Sequence, residues 1–176
     1  MSEESILSFR KLVSAMRTTQ KEYWAHRDKK LLKQSLELEK RVDGIIMKAD
    51  GSAVPENENG SFFLEVATLR TNHKLYFAEK RKAQPDTEQV NQLFDLIKKG
   101  EAKVDKMLIH FQDEQARKDG YIIEYHVMER YPKESARSIY SSQDEQLAKI
   151  ELNDYLRRTR GGCMYFMSKK YVKIQK

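Results

Sequence analysis

Residues 8–29 read "SFRKLVSAMRTTQKEYWAHRDK", and residues 61–82 read "SFFLEVATLRTNHKLYFAEKRK". Nine of the 22 aligned positions are identical. Phe9, Val13, Met16, Gln20 and Tyr23 correspond to Phe62, Val66, Leu69, His73 and Tyr76. Their offsets trace one stripe of an α-helix. A second stripe lies beside it, Arg17, Lys21 and Trp24 in one copy and Arg70, Lys74 and Phe77 in the other. Each copy thus predicts a helix with an apolar seam flanked by a cationic and aromatic one.

A further likeness follows each copy, "KRVDGI" at 40–45 and "AKVDKM" at 102–107. Leu31, Leu38, Val42 and Ile45 keep helical spacing, so a second helix is expected from about Lys29 to Lys48, after a turn near Asp28–Lys30. Two antiparallel helices on a short turn would set Arg17 level with Asp43. The expected ion pairs are therefore Arg17–Asp43 and, by the repeat, Arg70–Asp105. The second copy carries nine extra residues around "AQPDTEQVN". There Asp86 reads as an N-cap with Gln89 as its capping-box partner, and Ser61 as the cap of the third helix. Val90, Leu93, Ile97, Val104, Leu108 and Phe111 continue one stripe to about Gln115, with Thr87 and Asn91 both open as its start.

The chain is 176 residues long, with 39% apolar and 34% charged residues, three prolines and seven glycines. That composition suits long helices with wet faces. A single cysteine, Cys163, allows no internal disulfide and points to a reducing compartment, so a cytoplasmic location is expected. The acidic start "MSEESILSF" does not read as a secretory signal, and no apolar run is long enough to span a membrane.

The pattern Phe-x3-Val-x2-Met/Leu-Arg-Thr-x2-Lys-x-Tyr-Trp/Phe-Ala, followed by Val-Asp, resembles small uncharacterised proteins from phages and mobile elements of gut anaerobes. The resemblance covers about residues 8–110. It implies a phage or mobile-element accessory protein and supplies no catalytic residues.

After Lys118 the period changes to two. Tyr121, Ile123, Tyr125 and Val127 share one face of a strand, and Glu124, His126 and Arg130 the other. "YPKES" is a turn and "ARSIYSS" a returning strand. Ser142 and Glu145 read as a capping box opening a helix to about Thr159, which Gly161–Gly162 ends. A last strand follows. The expected fold class is α+β, mainly α: two tandem antiparallel helical hairpins in a four-helix arrangement, then a small antiparallel ββαβ module. The expected domains are 1–116 (repeat one 5–48, loop 49–60, repeat two 61–116) and 117–176.

Residues 157–176 hold seven Lys/Arg and no acid, and the other 156 residues hold 26 basic and 27 acidic side chains. All the net charge of +6 therefore sits in the last twenty residues. Alternation in the last strand puts Met164, Phe166, Val172 and Ile174 on one face, expected to meet the helix. It puts Tyr165, Lys169, Tyr171 and Lys173 on the other, expected to be wet. With Lys170 and the helix-end residues Arg157, Arg158 and Arg160, these are the expected nucleic-acid-binding residues, since aromatics stack on bases and cations neutralise phosphates. The bland alternative is lysines that blunt an edge strand and arginines that complement a helix dipole.

Trp24 and Phe77 are expected to fill the interface between the hairpins; the alternative is that the stripe of Arg17, Lys21 and Trp24 is a binding surface. The four histidines show no metal-ligand spacing, and His73 stands where the other copy has Gln20. Glu37, Glu39, Asp113 and Glu114 read as solvated surface. No GxGxxG, Walker or GxSxG element is present. No catalytic residue, cofactor or metal is expected. The expected function is a non-enzymatic accessory or binding protein for nucleic acid, as a monomer or homodimer. The alternative is a protein–protein module, such as an inhibitor of a host factor or a virion component.

Overall fold

The computed structural model describes residues 3–49, 56–158 and 163–174. Its elements are α1 (Glu3–His26), α2 (Lys29–Ala49), α3 (Glu58–Lys80), α4 (Thr87–Lys118), β1 (Tyr121–Arg130), β2 (Arg137–Ser142), α5 (Glu145–Arg158) and β3 (Met164–Lys173). The fold is α+β and mainly α. The chain divides into two compact units between His110 and Phe111, inside α4, six residues before the boundary expected at 116/117. Among the described residues, no helix is long and apolar enough to cross a membrane.

In the first unit the repeated stripe is the core. Phe9, Val13, Met16, Val42, Phe62, Val66, Leu69 and Val104 are almost wholly buried. Each such side chain stabilises the fold by roughly 1.5–3 kcal/mol. The Phe9 and Phe62 rings meet edge to face at 6.1 Å, and Phe9 also meets Phe63 at 5.2 Å. Arg27 closes the first hairpin with a positive φ of 56°, and the Asp28 carboxylate accepts the Lys30 N–H at 2.7 Å. So short a turn forces α2 back along α1. Gly100 brings α4 close to α3, since a Cβ there would lie 3.2 Å from Leu69 Cδ1.

Two helix starts differ from expectation, and a third keeps its expected cap without the capping box. Asn57, not Ser61, caps α3, and its side chain accepts the Gly60 N–H, so the helix begins four residues earlier. Asp86 does cap α4, accepting the Glu88 and Gln89 N–H groups, which fixes the start at Thr87. Its own N–H goes to Glu79 at 3.1 Å and not to Gln89, so no capping box forms. Asp144 caps α5 by accepting the Gln146 and Leu147 N–H groups, while Ser142 still belongs to β2.

The second unit is an antiparallel sheet of order β2-β1-β3. Ile123, Tyr125 and Ala148 form its core cluster, joined by Tyr140, Met167 and Tyr171. Tyr121 stands opposite Lys173 and Tyr125 opposite Lys169, so odd residues of β1 meet odd residues of β3. The buried odd face of β1 therefore takes the odd face of β3 with it. This reverses the expected orientation of the last strand. Met164 and Ile174, expected inside, are exposed, and Phe166 and Val172 are half-buried. Tyr165, Met167, Lys169 and Tyr171 lie on the side of the core, and the Tyr165 and Tyr155 rings stack at 5.4 Å. The expected helix stop at Gly161–Gly162 lies outside the described residues.

Candidate nucleic-acid interface

The two duplicated arginines do not pair within their own hairpins. Arg17 donates from Nε and Nη2 to Asp105 at 3.0 and 3.1 Å and meets Glu101 at 2.9 Å. Arg70 donates to Asp43 at 2.8 and 3.2 Å and meets Glu39 at 2.9 Å. The expected Arg17–Asp43 and Arg70–Asp105 pairs are thus exchanged across the hairpins. Both fork-to-fork geometries are bidentate, the strong form of the contact. Lys21 follows Arg17 onto Asp105 at 2.9 Å, and Lys74 follows Arg70 onto Asp43 at 3.1 Å.

Gln20 and His73 close these pairs into a ring. The Gln20 side chain accepts from Arg17 at 2.7 Å and donates to Glu39 at 2.8 Å. His73 lies 3.4 Å from Arg70 through Nδ1 and 3.7 Å from Glu101 through Nε2. The ring therefore runs Arg17, Gln20, Glu39, Arg70, His73, Glu101 and back to Arg17. Burial works to raise the acids, but the arginines outweigh it. The His73 contact and the Arg17 charge hold Glu101 at about 2. Arg70 and then Lys74 hold Asp43 below its ordinary value, and Arg17 and then Lys21 hold Asp105 below its own. Glu39, expected as solvated surface, joins the ring instead, and Glu101 went unremarked, although "EKRVD" at 39–43 and "EAKVD" at 101–105 repeat them.

The ring also orients the unit. Equivalent residues meet at two levels, Phe9 with Phe62 and the ring eight residues further on, about 12 Å along a helix. Helices α1 and α3 must therefore run in the same direction, and both hairpin turns lie at one end.

That end carries the aromatic half of the second seam. Trp24 and Phe77 are 59% and 51% exposed, so they do not fill the interface between hairpins. The ring residues Arg17 and Arg70 turn inward, and the aromatics two turns later turn out. The Arg27 guanidinium lies 4.1 Å from the Trp24 ring centre and 5.8 Å from that of Tyr23. Lys80 stands 5.3 Å from the Tyr76 ring and Lys98 5.3 Å from the Phe94 ring. Tyr76 meets both Phe77 and Phe94. Around these rings, residues 21–33 hold five Lys/Arg and two acids, and residues 74–82 hold four and one. The neutral sum of the first 156 residues concealed both surpluses.

The C-terminal set fares differently. Lys169 donates to both oxygens of Asp113 at 2.7 and 2.6 Å, and Tyr171 donates to Asp113 at 2.8 Å. Asp113 is buried, not solvated surface. Burial and the Asp113 hydrogen bond push Tyr171 up to about 12. Tyr165 donates to Glu129 at 3.0 Å, beside the Arg137–Glu129 ion pair at 2.6 Å. Arg158 pairs with Asp154 at 3.3 Å, and Lys170 stands opposite Glu124. Arg157, Lys170 and Lys173 are exposed, and Arg160 lies outside the described residues. A cleft of about 570 Å³ at the β1–β2 turn is lined by Arg130, Tyr131, Lys133 and Cys163, with the thiol 3.6 Å from the Arg130 carbonyl.

Comparison with family models, curated proteins and solved structures found no match for this chain.

Proposed function

We propose that the protein is a non-catalytic binder of single-stranded nucleic acid, and that it binds through the turn end of the helical unit. The observation that carries this reading is the Arg27 guanidinium over the outward Trp24 ring, with Lys80 over the half-buried Tyr76 ring and Lys98, which also reaches Glu101, over the exposed Phe94 ring nearby. Stacking on aromatic rings together with phosphate neutralisation is the chemistry single strands require. The sequence resemblance to phage and mobile-element proteins suits an accessory role.

Trp24 is the only tryptophan, so its emission reads the site directly. Titration with a fluorescently labelled single-stranded oligonucleotide should quench it, and polarisation should report binding that weakens as salt rises. Trp24→Ala and Phe77→Ala should each weaken binding by about 1–3 kcal/mol, the usual value of one stacked base. Reversing Arg157, Arg158, Lys170 and Lys173 should leave most of the affinity. If the reversal abolishes binding and the alanines do not, the interface is the C-terminal one. No binding at low salt ends the nucleic-acid reading and leaves a protein partner, since exposed tryptophan and arginine also anchor protein interfaces.

A further inference from the structure

Every arginine–acid contact in the ring crosses from one hairpin to the other, whereas Gln20–Glu39 and His73–Glu101 stay within a hairpin. The two hairpins are also copies. Arg17 and Lys21 match Arg70 and Lys74, and Glu39 and Asp43 match Glu101 and Asp105. Each hairpin therefore displays the cations its neighbour needs and the acids its neighbour offers. We infer that the face through which the hairpins meet is self-complementary and takes a second copy of this chain, like hairpin against like hairpin.

In such a pairing Arg17 of one copy meets Glu39 and Asp43 of the other, the same acids that Arg70 grips in the structure. Lys21 takes the place of Lys74 on Asp43. Phe9 meets Phe9 of the second copy where it now meets Phe62. The buried stripes match in kind, Val13 with Val66 and Met16 with Leu69. Within one chain the tether gives the two hairpins a high effective concentration, so closure inside the chain normally wins. Pairing between copies emerges when that closure is blocked, or when refolding starts at a protein concentration that competes with the effective one. This inference rests on the ring alone and stands whatever ligand the exposed seam binds.

The full chain carrying Arg70→Asp and Asp105→Arg tests it. Closure within the chain would then set Arg17 against an arginine at 105, and Asp43 against an aspartate at 70. Pairing between copies keeps the native set in hairpin one and opposes the new aspartate to the new arginine in hairpin two. Light scattering with circular dichroism should report a folded species of twice the mass of one chain. The fourfold variant Arg17→Asp, Asp43→Arg, Arg70→Asp, Asp105→Arg, made with Glu39→Gln and Glu101→Gln so that no acid faces the new aspartates, restores opposite charges within the chain and should be a monomer. A folded monomer from the double variant overturns the inference, as does a double variant that stays unfolded while the fourfold one folds. Should both variants fail to fold, the unaltered chain decides. Refolded from urea at rising protein concentration, it should yield a growing dimer fraction, and monomer at every concentration overturns the inference.

Discussion

Two regions of this protein combine lysine or arginine with aromatic residues, and the fold treats them in opposite ways. On β3, Lys169 and Tyr171 turn inward onto Asp113, and Tyr165 turns onto Glu129. At the hairpin turns, Trp24 and Phe77 turn outward with Arg27 and Lys80 close by. The difference lies in what waits opposite. Each inward group has a largely buried carboxylate to receive it, and the carboxylate lies far away in sequence. Net charge along a chain therefore does not report net charge on a surface. A basic segment keeps free cations only where the fold brings it fewer acids, and at the turns Lys21, Lys74 and Lys98 reach Asp105, Asp43 and Glu101 while Arg27 lies over Trp24.

The largest effect should come from the ring, where inward cations are buried deepest. Arg70→Ala would leave Glu39 without its cation and Asp43 with only the exposed Lys74. Removing one member of a buried pair costs about 3–5 kcal/mol. Urea unfolding should show a loss in that range, and Arg17→Ala should match it because Glu101 and Asp105 occupy the equivalent positions. A loss below about 1 kcal/mol, the value of an exposed pair, would place the ring in the same class as the wet cations and erase the contrast.

Asp113→Asn should come next. It keeps the volume and removes the charge that holds Lys169 and Tyr171. A hydrogen bond to a charged group contributes about 1.5–3 kcal/mol, so a loss of that order is expected in thermal unfolding. The same change frees Lys169 to meet a polyanion. If the C-terminal strand takes part in binding, the slope of log affinity against log salt should steepen by close to one. An unchanged slope would sharpen the contrast by leaving the seam alone as the interface.

The hairpins, the capped start of α4 and the β-strand pattern of the last third were legible because they depend on local periodicity. The exchange of ion pairs was not. Arg17 level with Asp43 and Arg17 level with Asp105 are the same statement in a repeat, and sequence height cannot tell two equivalent acids apart. Only the packing of hairpin on hairpin does so. The face of β3 was misread for a related reason. Alternation gives two faces, but the register with β1, Tyr121 opposite Lys173, decides which one is inside. Trp24 was misjudged by type, since a large aromatic in a repeated stripe suggests core. Its stripe leaves the ring two turns earlier, and the apolar seam beside it already fills the interior.

Acid and base should dismantle the two inward clusters separately. Glu101 is held at about 2 against an ordinary 4.5, and Asp43 and Asp105 are also lowered. A depressed carboxylate contributes stability above its unfolded value and loses it as pH falls through its folded one. The helical unit should therefore weaken between about pH 4.5 and 2, and Glu101→Gln should flatten that limb of the urea midpoint against pH. Tyr171 is raised to about 12 from an ordinary 10.0, so its contribution is intact below pH 10 and is lost as pH rises toward 12. Ultraviolet titration of the tyrosines should show a late proton that Tyr171→Phe removes.

The smallest effect on stability should come from the outward residues, and there the comparison is tested most directly. Trp24 is mostly exposed, and substitutions at such positions usually change stability by no more than about 0.5 kcal/mol. Its contact with Arg27 at 4.1 Å adds about 0.5–1 kcal/mol in exposed settings, part of which the helix recovers by gaining alanine, the best helix former. Trp24→Ala should thus unfold within roughly 0.5 kcal/mol of the parent while oligonucleotide affinity falls. Lys169→Ala should do the reverse, because it strips a buried carboxylate of its partner and removes nothing from the wet seam. If both substitutions lower stability alike and neither changes binding, outward and inward cations are the same kind of structural residue. If the two effects separate, the direction in which each side chain points divides function from fold in this chain.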